Sequence, residues 1–68
     1  MKEISNKKEA LIAVQQNGYN LEYVSDELRA DKEVVIAAVQ QDKFALQFAS
    51  DDLKIDEEVL AITKNESF

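Results

Sequence analysis

Asp31-Lys32-Glu33-Val34-Val35-Ile36-Ala37-Ala38-Val39-Gln40-Gln41 is the stretch on which the fold turns. Its six apolar residues, Val34 to Val39, fit a buried strand or a helix that is apolar nearly all round. The stretch 25 positions earlier removes the ambiguity. There Asn6 is followed by Lys-Lys-Glu-Ala-Leu-Ile-Ala-Val-Gln-Gln, whose Glu, Ala and Leu are good helix formers. Two alanines inside the later run favour the helix as well. A helix without a polar side must be covered from two directions, so the second long helix is expected at the centre of the fold.

The 25-residue offset extends beyond these helices. Laying residues 6–30 over 31–55 gives nine identities: Lys7, Ala13, Val14, Gln15, Gln16, Leu21, Ser25, Asp26 and Leu28 meet Lys32, Ala38, Val39, Gln40, Gln41, Leu46, Ser50, Asp51 and Leu53. Chance at this composition gives roughly two, so internal duplication is the first-order reading. A partial third copy runs from Asp56 to Phe68. The predicted fold is a single all-α domain over 1–68, built from short helical repeats of about 25 residues: 6–30, 31–55 and a partial 56–68. Each unit is read as a long helix, a short helix and a turn. Asn6, Asp31 and Asp56 precede the long helices as N-caps, accepting the unpaired N–H groups of a first turn.

Gly18 is expected to close the first long helix in the left-handed conformation that glycine adopts without penalty. Lys43 holds the matching place, so the second copy is expected to stop under strain at Asp42 or Lys43. Tyr19–Ser25 and Phe44–Ser50 should form the short helices, with Leu21, Val24, Leu46 and Ala49 facing inward. Tyr19, Tyr23, Phe44 and Phe48 recur in register and are read as core between units, more firmly for the phenylalanines.

Asp31-Lys32-Glu33-Val34-Val35, Ala38-Val39, Ala45-Leu46, Phe48-Ala49-Ser50, Leu53-Lys54 and Asp56-Glu57-Glu58-Val59 together resemble the bacterial helical repeats grouped as domain of unknown function 4116. The resemblance spans about residues 6 to 62. It implies an α-helical fold and no activity, because the matching positions are mostly apolar or capping residues.

Composition narrows function by exclusion. There are 68 residues with net charge −6 and no His, Cys, Pro or Trp. Nucleic acid and anionic membranes both require clustered Lys and Arg, so neither is an expected partner. No apolar run approaches the ~20 residues of a membrane span. A cytoplasmic setting is the simplest fit. Without His, Cys or a glycine-rich loop, the usual parts for nucleophilic, zinc and phosphate chemistry are missing, so no enzyme activity, metal or cofactor is expected.

The strongest charge cluster is Asp51, Asp52, Asp56, Glu57 and Glu58, broken by Leu53 and Ile55 and without the central glycine of a calcium loop. Capping and solvation explain it better than a metal does. Phe68 is the last residue, near where a third short helix would begin, and could cover the third long helix. These six residues form the candidate surface for an unknown protein partner. The expected function is a non-catalytic interaction or structural module. Its alternatives are a self-associating homodimer and an acidic regulator or inhibitor of a basic protein.

Overall fold

A computed structural model describes residues 3–64, and these are all-α. Helix α1 is Lys7–Gln16, followed by a 3-10 helix, η1, at Gly18–Tyr23 and a one-turn helix, α2, at Asp26–Arg29. The same succession returns 25 positions later as α3 (Lys32–Gln41), η2 (Lys43–Phe48) and α4 (Asp51–Lys54). Helix α5, Glu57–Lys64, completes the described chain. The short element is therefore a 3-10 helix plus a separate α-helical turn, not one short helix ending in a turn. Val24 and Ala49 separate the two pieces in extended backbone, which no continuous helix could contain.

Caps start the long helices where expected. Asn6 Oδ1 accepts from Glu9 N–H at 3.0 Å, Asp31 Oδ1 from Glu33 at 3.0 Å, and Asp56 Oδ1 from Glu58 at 2.9 Å. The chain is also tied across each unit. Ser25 N–H donates to Ile4 C=O at 2.8 Å and Ser50 N–H to Arg29 C=O at 3.0 Å, the same bond one offset later.

Helix α3 is central. It packs against α1 on one side and α5 on the other, with η1, η2 and α2 also against it, while η1 lies on η2. Val34, Val35, Ala38 and Val39 are buried, joined by Ala10, Val14, Leu21, Val24, Ala45 and Val59. Ala13 and Ala38, alike in sequence, differ in burial: Ala38 is fully buried and Ala13 only partly. Helix α1 is covered by a long helix on one side only, so its outer face stays wet.

Both long helices end in the same unstrained way, contrary to the expectation of a left-handed glycine. Asn17 and Asp42 are extended, at φ −159°, ψ 116° and φ −156°, ψ 112°. Each caps the following 3-10 helix, accepting at 3.0 Å from Tyr19 N–H and Phe44 N–H respectively. No described residue has positive φ. Gly18 is required for space instead. A Cβ there would lie 2.5 Å from the Ala38 carbonyl oxygen, so η1 approaches α3 more closely than any side chain permits. Lys43 borders an open cleft of about 500 Å³ shared with Ile62 and Thr63 of α5.

Gly18→Ala is expected to cost about 1–3 kcal/mol, because backbone rather than a yielding side chain opposes the new methyl. Thermal denaturation reads this as a lower Tm, at roughly 4–8 °C per kcal/mol for a chain this size. An unchanged Tm would mean that η1 can move off α3 at no cost.

Candidate functional site

The acidic cluster does not converge on one point. Asp56 is the N-cap of α5, and its Oδ2 lies 3.2 Å from Lys32 Nζ, which also reaches Glu58 Oε1 at 2.9 Å. One offset earlier, Lys7 Nζ holds Asp31 at 3.1 Å and Glu33 at 2.9 Å. A lysine at the start of each long helix thus clamps the cap and the first-turn glutamate of the next. Asp51 lies 3.9 Å from Lys54 and is fully exposed; Asp52 and Glu57 are exposed too. Among the described residues no three acidic side chains gather as metal ligands. Phe68 lies outside the described residues.

The clamps shift the acids. Partial burial pushes the Asp31 carboxyl up, but the Lys7 ammonium and the N–H groups of Val34 and Glu33 outweigh it, leaving its pKa below 3.8. Asp56 behaves alike: desolvation raises it, while Lys32 and the N–H groups of Val59 and Glu58 bring it below 3.8. Bonding to Glu33 and Asp31 raises Lys7, and bonding to Glu58 and Asp56 raises Lys32.

The surface that stands out is on η2. Phe44, expected in the core, is 62% exposed. Its counterpart Tyr19 is 37% exposed and meets Phe48 edge-on, with ring centroids 5.7 Å apart and planes at 72°. Phe44 instead stands between two clefts. One is the opening against α5; the other, about 530 Å³, is lined by Lys43, Phe44, Leu46, Gln47 and Lys54. Gln47 Nε2 donates to Phe44 C=O at 3.2 Å, and Lys43 Nζ sits 5.6 Å from the Phe44 ring centroid. Leu46 is half-buried beside it.

Ser50 is a second departure. Ser25 Oγ caps α2 by accepting from Leu28 N–H at 3.3 Å, whereas Ser50 Oγ at the start of α4 is buried without a hydrogen-bond partner. A small cleft beside it is lined by Asp26, Arg29, Phe48 and Asp51, and Arg29 is already paired with Asp26.

A family model described as Domain of unknown function (DUF4116) matches residues 6–60. The chain belongs to this family. No curated protein and no solved structure matches it. The DUF4116 match runs from the Asn6 cap into α5, so both clamps and the η2 face lie inside it. No helix among the described residues is long and apolar enough to cross a membrane.

The clamps make stability depend on pH at both extremes. Asp31 and Asp56 have lowered values in the fold, so their contribution is present above the ordinary 3.8 and lost as pH falls through the folded values. Lys7 and Lys32 are raised above 10.5, so theirs is present below that and lost as pH rises through the folded values. Urea midpoints should therefore drop on acidification below 3.8, and less steeply in the Asp31→Asn, Asp56→Asn double variant. Equal acid slopes in the two proteins would show that the clamps contribute nothing.

Proposed function

We propose that this DUF4116 chain is a non-catalytic interaction module that docks a protein partner on the η2 face around Phe44. The observation that carries this reading is the exposed phenylalanine between two clefts, whose counterpart Tyr19 is less exposed and meets the Phe48 ring edge-on. Large exposed aromatic rings beside a groove supply most of the apolar area at interfaces. The acidic end ranks behind it as a docking surface. Asp56 and Glu58 are engaged by Lys32, which leaves Asp51, Asp52 and Glu57 for a basic partner.

Self-association by stacking a further unit onto either end is less well supported. Positions that are buried valine inside, Val34 and Val59, correspond to exposed Glu9 in α1. Val14 and Val39 correspond to exposed Lys64. The clamp residues change sign as well: Lys8 replaces Glu33 and Glu58, and Glu57 replaces Lys7 and Lys32. Polar outer faces of this kind are how helical arrays terminate.

Phe44→Ser should leave the Tm nearly unchanged, since the ring is mostly solvated, yet abolish capture of a partner from extracts of the source cells. Ile55→Ser, a substitution at a 74% exposed position outside the groove, should retain capture. Quantitative mass spectrometry of the captured proteins separates the two. A partner held equally by both variants would remove the η2 face from consideration.

A further inference from the structure

We propose that copies of this chain stack end to end, the outer edge of α5 in one copy against the outer edge of α1 in the next, through a clamp of reversed sign. This contact lies away from the η2 face and does not depend on its reading. Within the chain every clamp has one polarity. Lys7 pairs with the Asp31 cap and with Glu33, and Lys32 with the Asp56 cap and with Glu58. At the two edges each member of the clamp is exchanged. Glu57 stands on α5 where Lys7 and Lys32 stand on α1 and α3, while on α1 Asn6 replaces the aspartate caps and Lys8 replaces Glu33 and Glu58. Glu57 and Lys8 are exposed, and neither is ion-paired among the described residues. Asn6 uses its Oδ1 to accept from Glu9 N–H at 3.0 Å, which leaves its amide NH2, a donor that aspartate lacks.

A second copy placed on α5 as α5 is placed on α3 brings these groups together with donor and acceptor sides interchanged: Glu57 accepts from Asn6 and Lys8. A second exchange lies further along the same edges. Val14 of α1 and Val34 of α3, and Val39 of α3 and Val59 of α5, belong to one buried cluster. At the edges the same two places hold Lys64 and Glu9, both exposed and again of opposite sign. These residues bar an apolar seam, yet they match each other by charge. A unit with the ordinary clamp is refused at both edges, because its lysine would face Lys8 and its Asp and Glu would face Glu57. A copy of this chain fits both. The wider charge distribution favours the same orientation, since residues 1–25 carry three Lys and three Glu whereas 51–68 carry six acids and two Lys. Solvated ion pairs contribute little each, so the contact is weak. Its two sides differ, so it does not close on a pair and copies add in series.

Sedimentation velocity of the full 68-residue chain tests this at physiological salt, where repulsion between acidic chains is screened beyond about 8 Å. Average mass should rise steadily as concentration approaches about 1 mM, the scale of weak binding. Lys8→Glu alone and Glu57→Lys alone should each leave the chain monomeric, although the second makes it less acidic. Mixing the two variants, or combining both substitutions in one chain, should restore association, because opposite signs then meet again. Phe44→Ser should leave association unchanged. Circular dichroism of each variant verifies that the fold is retained. A monomer at every concentration, association that survives either charge reversal, or no recovery on mixing would overturn the end-to-end clamp and leave the η2 reading untouched. Loss of association in Phe44→Ser would overturn it as well, by moving the contact to η2.

Discussion

The broad apolar face of α3 organises this chain. Val34, Val35, Ala38 and Val39 are buried and Ile36 and Ala37 half-buried, while Glu33 and Gln40 stay exposed. Helices α1 and α5 flank that face, and the two 3-10 helices pack on it as well. Burying a valine contributes about 1.5–3 kcal/mol, and in a chain this short the four core residues of α3 are a large part of what opposes unfolding. The lysine clamps contribute less per contact, being solvated. Their role is register: each joins one helix start to the next at spacings of 24 and 26 residues, which fixes how far one unit slides along another.

Much of this architecture was legible because capping and burial act locally. Asn6, Asp31 and Asp56 announce helix starts through side chains that have little other use before an apolar run. The all-round apolar character of Val34–Val39 announces a central helix. The division of the short element into a 3-10 helix and a separate turn was not legible, because hydrophobic spacing over six residues does not separate three residues per turn from 3.6. The end of α1 was misread for a related reason. Gly18 after a helix suggests a left-handed stop, yet the stop belongs to Asn17 and the glycine answers to a carbonyl twenty residues away at Ala38. Contacts at that range leave no local trace.

The candidate surface was the least legible part. Charge is conspicuous in a sequence, and it drew attention to Asp56 and Glu58, which are internal clamp residues as well as surface acids. Phe44 holds the place of Tyr19 one offset later, with Lys43 before it where Gly18 precedes the tyrosine. Its surroundings differ through the neighbouring layer: Tyr19 meets the Phe48 ring of η2, whereas Phe44 lines two clefts. Aromatic side chains at matching positions can therefore differ in how far they are covered, 37% exposed for Tyr19 against 62% for Phe44.

Gly18 makes the two units unequal in a way their shared pattern conceals. The first can be followed closely because nothing projects at that position; the second carries Lys43 there and stands away from α5. The halves are not interchangeable modules. Transposing them would put a lysine stem where only bare backbone fits and leave the glycine facing open water, so serial order is itself encoded, in one missing methyl group.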